Sequence, residues 1–191
     1  MKINAKILFF ILAIAALSIV VYYNVGIGIR NITGLLPRHP TKRFDKRSLT
    51  VITEAVIHHT ATDSRNTTIE SIARYHVEPG NHICADGCPG ISYHFMIKPS
   101  GAIYQVNDLE TISYQCGGCN TYTIGICLIG NFNEEIPTEK ALKAAAKTIR
   151  YVNRRLGRSL AISAHKDHKS TSCPGDNTNV DKIIEMVYPV A

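Results

Sequence analysis

Beyond residue 50 the chain has no surplus of charge of either sign. Of its 21 Lys/Arg and 15 Asp/Glu, the first 50 residues hold 8 and 1, leaving 13 basic and 14 acidic residues for the rest. A nucleic-acid-binding domain carries basic charge on its own surface. Here the excess lies in Arg38, Lys42, Arg43, Lys46 and Arg47, within a proline-containing stretch, so nucleic acid is set aside as a partner. The chain also lacks internal repeats and low-complexity tracts. With 191 residues, 45% of them hydrophobic, it is long enough for one real core and too short for two full-sized domains.

There is one long hydrophobic run, Ile7 to Tyr23, seventeen residues without a charge. That is enough for a membrane-spanning helix, and its tyrosines fall where an interfacial belt would lie. A cleaved signal would end sooner, at a small-residue site followed by polar chain, and no cysteine follows that could carry a lipid. Residues 1–29 are therefore expected to be an uncleaved anchor. The positive-inside rule alone would keep the C-terminal part cytoplasmic, because more Lys/Arg follow the run than precede it. Residues 30–48 show no helical or strand period and contain two prolines, which reads as a basic linker, with the domain covering 49–191.

Within that domain, Thr50 to Ile57 is short and β-branched, a predicted strand running into His58 and His59. Thr67-x-x-Glu70 has the pattern of a capping box before a helix carrying Ile69, Ile72, Ala73 and His76 on one face and stopping at Pro79-Gly80. Tyr93–Lys98 and Ala102–Val106 flank a Pro-Ser-Gly turn as a hairpin. Thr123 to Gly130 is a near-continuous apolar run, as in a strand covered on both faces. Thr138 caps a helix with Ala141, Leu142, Ala145, Ile149, Val152 and Leu156 on one side, closed by Gly157. Leu160–Ala164 is another strand, and Val180–Val187 a last helix. This alternation predicts a single α/β domain with a mixed central β-sheet flanked by helices.

Chemistry-bearing residues collect at strand ends. His58 and His165 each follow a predicted strand, and Cys173 lies eight residues past His165 on a loop. Two imidazoles and a thiolate satisfy a catalytic zinc site, which uses three protein ligands and leaves one position to water. The competing reading makes Cys173 a nucleophile activated by His165. His59 and His94 are expected to pack or hydrogen-bond, and His168 to be solvated.

Four segments carry a resemblance: V-I-H-H-T-A-T at 56–62, I-S-Y-H-F-M-I-K-P-S-G at 91–101, N-T-Y-T-I-G-I-C-L-I-G-N at 120–131, and A-H-K-D-H-K-S-T-S-C-P-G-D at 164–176. In this order they resemble the zinc-dependent N-acetylmuramoyl-L-alanine amidases, a family that includes amidase-type phage lysozymes and peptidoglycan recognition proteins. The resemblance implies that His58, His165 and Cys173 bind Zn2+. It implies that Tyr93 lies beside the metal-bound water in catalytically active members, and that Thr171 occupies a position held by lysine or threonine. The implied reaction cleaves the amide between N-acetylmuramic acid and L-alanine in peptidoglycan, and muropeptides are the implied partners. Where members often carry a groove histidine, this chain has Gln115, which puts substrate preference in doubt.

Peptidoglycan lies outside the cytoplasmic membrane, so a membrane-anchored, monomeric protein with a periplasmic domain is expected, against the charge count above. Cys127 is expected in the core. Cys84, Cys88, Cys116 and Cys119 suit disulfides in an oxidising compartment or a second, four-thiolate zinc site in a reducing one. Two rivals remain: a non-catalytic recognition protein using the same groove, and a lysin released from its membrane segment.

Overall fold

The computed structural model describes residues 28–189. The apolar run Ile7–Tyr23, expected to form the anchor, lies outside the described residues, and among those described no helix is long and apolar enough to cross a membrane. The strands are β1 (Ile29–Asn31), β2 (Glu54–His59), β3 (Phe95–Ile97), β4 (Ile103–Gln105), β5 (Thr123–Leu128) and β6 (Ala161–Ala164). They form one sheet in the order β1-β4-β3-β5-β2-β6. Every pairing is parallel except the β3–β4 hairpin, so the sheet is mixed, as expected.

Alternation along the two inner strands sorts the core into two faces. Ala55 and Ile57 of β2, with Ile124, Ile126 and Leu128 of β5, face the main cluster. That cluster is covered by α2 (Glu139–Leu156) and α3 (Val180–Val187). α2 follows its sequence pattern closely: the Thr138 hydroxyl accepts from Ala141 N, and Gly157 ends the helix with φ 66°, a left-handed cap that glycine adopts without a Cβ clash. The other face, with Cys127, Ile129 and Met96, is covered by α1 (Ile69–Val77). Its cap is shifted one residue from expectation. The Thr67 hydroxyl is spent on Asp63 O (2.7 Å), and Thr68 and Ser71 form the reciprocal capping pair instead.

The other expected strands are trimmed by one to three residues from their expected spans, and the larger differences lie at β2 and in the expected linker. The strand expected over Thr50–Ile57 begins at Glu54, because Ser48 accepts from Thr50 N and turns Leu49–Val51 into a 3-10 segment. The strand then continues through His59, so His58 belongs to it rather than following it. The stretch expected to be a linker, 30–48, is built into the domain. Ile29–Asn31 adds a parallel edge strand to β4, and its cations bind carbonyls. Lys42 Nζ donates to Asp86 O (2.6 Å) and Gly87 O (2.8 Å), and Arg38 Nη2 to Val106 O (3.2 Å).

Arg47 goes furthest. It is 8% exposed and donates to the carbonyls of Leu109, Asn120, Thr121 and Thr123. The fork of its guanidinium suits several converging acceptors as a lysine would not. Burial lowers its pKa to about 10, leaving it charged at neutral pH. Replacing Arg47 by Met should strand these carbonyls and lower stability by about 3 kcal/mol or more, with Lys recovering only part. Urea unfolding of the three proteins measures this, and a loss under about 1 kcal/mol would contradict the role.

A candidate metal centre in the cleft

Backbone register assembles the site. Ile57 pairs with Ala164 across β2 and β6, so the next residues, His58 and His165, leave the ladder side by side. Their ring centroids are 4.5 Å apart, close to the spacing of adjacent strands. The period of two turns His59 to the opposite face, where its Nδ1 accepts from Phe132 N (3.2 Å). Beyond β6 the chain turns at once, held by Asp167 Oδ2 accepting from Ala164 N (2.7 Å).

Cys173 reaches the same point from a loop tied to both strand ends. Lys166 N donates to Cys173 O (2.8 Å), His59 N donates to Cys173 Sγ (3.4 Å), and Cys173 N donates to Thr171 Oγ1 (3.2 Å). The sulfur lies 3.6 Å from His58 Nδ1, and the ligand atoms of His58, His165 and Cys173 all lie within 4.8 Å of one another. A tetrahedral zinc with bonds of about 2.3 Å to sulfur and 2.0–2.1 Å to nitrogen has an S–N edge of about 3.6 Å, so the donor set fits that ion. Burial lowers the pKa of His58 and, less strongly, of His165, aided by neighbouring cations, so both offer neutral nitrogens. Burial pushes the Cys173 thiol up to about 11. The activated thiolate that a thiol enzyme needs is therefore not prepared by its surroundings.

The three donors open onto a cleft of about 760 Å³ that is also lined by His59, Ala61, His82, Tyr93, Gln115, Asn120, Lys169 and Thr171. Tyr93 stacks obliquely beside His58, centroids 5.3 Å apart. Its ring borders the cleft while its hydroxyl is buried near Cys127 and Cys173, which holds the phenol well above its usual pKa and keeps it a donor. Thr171 stands at the mouth, exposed, with one lone pair taken by Cys173 N. Thus all five sequence-predicted site residues meet in one cleft. Gln115, at the position where the family often carries a groove histidine, lines the same cleft and turns its side-chain oxygen to His58.

The remaining histidines do other work. His94 Nδ1 accepts from Gly125 N (3.0 Å) and its Nε2 donates to Thr111 O (2.9 Å). His168, expected to be solvated, is half-buried, with Nε2 2.9 Å from Ser163 Oγ and 3.1 Å from Glu54 Oε1. Cys84, Cys88, Cys116 and Cys119 do not pool into a thiolate cluster. Cys84 pairs with Cys88 and Cys116 with Cys119, Cα atoms 5.3 and 5.4 Å apart, while Cys127 is buried and free.

Burial holds His94 at a pKa of about 3, with Arg47 adding to the effect, and His76 at about 4. An unfolded histidine titrates near 6.5, so below that pH the unfolded chain takes up protons that the folded chain refuses. Stability is complete above about pH 6.5 and is lost as pH falls towards 4. Metal-free protein should be less stable at pH 5 than at pH 7.5 by on the order of 3 kcal/mol, read from urea unfolding at each pH. Equal stability at the two values would mean these imidazoles are not buried as neutral groups.

Comparison with known proteins agrees with this geometry. The N-acetylmuramoyl-L-alanine amidase family matches residues 48–176. Peptidoglycan-recognition protein SC1a of Drosophila melanogaster is 30% identical over 129 residues, covering 63% of this chain and 66% of that protein. The match thus spans just under two thirds of that relative. The endolysin N-acetylmuramoyl-L-alanine amidase LysCS from Clostridium intestinale superposes with a TM-score of 0.64 at 27% identity, over 81% of this chain and 91% of that one. Peptidoglycan recognition protein-LE, solved with tracheal cytotoxin, a monomeric diaminopimelic acid-type peptidoglycan, does so at 0.70 and 25% identity, over 85% and 94%. Both amidases and recognition proteins thus stand among its relatives, and the chain belongs to the N-acetylmuramoyl-L-alanine amidase family.

Proposed function

We propose that this protein hydrolyses the amide between N-acetylmuramic acid and L-alanine in peptidoglycan, with Zn2+ held by His58, His165 and Cys173. The observation that carries the reading is the convergence of those three donors, within 4.8 Å of one another, on an open cleft. When bound, zinc supplies polarisation of the scissile carbonyl and an acidified water. Two neutral imidazoles and one thiolate leave the ion a net positive charge, so the ligand set does not neutralise it.

The chain's own residues then act on the amide. Tyr93 is kept protonated, and its hydroxyl, turned from Cys127 towards the cleft, would donate a hydrogen bond to the oxygen on which negative charge develops. Thr171 has already committed a lone pair to Cys173 N, so its proton is free to point into the cleft and add a second, weaker donor. The new bond joins a water oxygen to the lactyl carbonyl carbon. The C–N bond breaks, and L-alanine leaves as the amine carrying the water's proton.

The apolar run Ile7–Tyr23 would anchor the protein, with the domain on the periplasmic side where its substrate lies. The two disulfides suit such an oxidising compartment. Tethering raises local concentration at the wall without further contacts. We take the working form to be a monomer.

The protein incubated with purified peptidoglycan should release stem peptides beginning at L-alanine, seen by mass spectrometry, with release abolished by a chelator and restored by zinc. Retention of the protein on the pelleted wall without any release would make it a recognition protein. Tyr93→Phe should cut turnover by about 10²-fold or more while metal analysis still finds one bound zinc. Loss of zinc from that variant would mean the tyrosine's role is structural.

A further inference from the structure

We infer that Gln115 is a positioning residue that fixes the tautomer of His58, and that the carbonyl of Cys119 dictates this through Thr123; the consequence for metal binding rests on the zinc reading above. The argument begins at a group with no choice. A backbone carbonyl can only accept, and Thr123 Oγ1 lies 2.8 Å from Cys119 O. Thr123 is fully buried, and its hydroxyl has a single proton, which goes to that carbonyl. The 2.6 Å contact between Thr123 Oγ1 and Gln115 must therefore be one in which threonine accepts, so the amide NH2 of Gln115 faces it.

Gln115 then has only its carbonyl oxygen to turn towards His58, and Oε1 lies 2.5 Å from His58 Nε2. An acceptor there requires a proton on Nε2. A neutral imidazole has one such proton, so Nδ1 is left with its lone pair, and Nδ1 is the atom 3.6 Å from Cys173 Sγ. Turning the amide over would set two donors against each other or leave a buried acceptor unpaired, at a cost of about 1–3 kcal/mol.

Packing holds the relay in place. Gln115 is 5% exposed and crosses β5 at Gly125, where a Cβ would come within 2.8 Å of Gln115 Cγ. A glycine inside a buried strand marks such a close approach. Cys119, whose carbonyl starts the relay, is closed by its disulfide onto Cys116, the residue following Gln115. A residue at a groove position thus serves a ligand rather than the substrate.

The test uses the full chain, metal-free, with histidine nitrogens labelled. Long-range proton–nitrogen correlation should show His58 as a single Nε2–H tautomer. Gln115→Leu removes the acceptor; His58 should then lose the single tautomer, and zinc affinity, measured by competition with a chromophoric chelator, should weaken about 10- to 100-fold. Gln115→Glu keeps an acceptor on His58 and should retain the single tautomer, although its second oxygen then faces a Thr123 hydroxyl with no proton to give. Thr123→Val should weaken zinc affinity by a smaller factor, and Thr123→Ser should restore it, which separates the relay from a general loss of fold. Unchanged tautomer and affinity in Gln115→Leu would overturn the inference, as would equal losses in Thr123→Ser and Thr123→Val. If the wild-type chain shows the Nε2–H tautomer but takes up no zinc, the relay stands and the metal reading alone falls.

Discussion

The parallel ladder between β2 and β6 is the constraint on which the rest of this site depends. Once Ile57 and Ala164 are partners, His58 and His165 must emerge beside each other, one strand spacing apart. No side-chain attraction between the imidazoles is needed. Two neutral rings gain little from proximity, and His165 adds to the burial that keeps His58 unprotonated. The backbone of an inner, almost wholly buried strand imposes the distance, and the pleat then decides that His58, and not His59, stands beside His165. Cys173 depends on the same ladder, because its loop is tied to Lys166 just past β6 and to His59 at the end of β2.

The second theme is the cost of buried polar groups and how it is met. The cleft side of the sheet contains His58, His94, Gln115, Thr123 and Arg47, all nearly inaccessible. His94, Thr123 and Arg47 are matched to backbone carbonyls or amides, whose roles cannot change, while His58 and Gln115 are matched to side chains. His94 takes the Gly125 amide and gives to the Thr111 carbonyl. Arg47 answers the carbonyls of 109, 120, 121 and 123, which fixes the segment leading into β5 and with it Gln115 and Thr123. A run of cations that looks like surface charge in composition is thus largely a set of donors to the domain's own backbone.

Much of the fold was legible from local pattern. α2 and α3 were read to within a residue or two because cap, apolar face and stop agreed. The β3–β4 hairpin and the buried β5 followed from turn residues and from an uninterrupted apolar run. That His58, Tyr93, His165, Thr171 and Cys173 would meet in one cleft was legible through four ordered motifs. Less legible were features whose partners are distant in sequence. Ser48 turns back the start of β2, Thr68 displaces Thr67 as the cap because Asp63 takes the latter's hydroxyl, and residues 29–48 gain order only by pairing with β4 and the 86–87 and 106–111 segments. His168 looked solvated for the same reason, since its partners Glu54 and Ser163 lie on strands.

By itself the sequence determined the residue types that chemistry needs, the order of the elements that carry them, and the alternation that decides which face each strand buries. These are local properties, set by side-chain identity and the 2.0 and 3.6 periods of the backbone. The tertiary structure alone decided that three donors 115 residues apart at the extremes meet within 4.8 Å, that Arg47 is core rather than tether, and that Gln115 addresses His58. Those outcomes depend on strand register and on which buried donor finds which buried acceptor, and both are settled by closing the whole sheet at once.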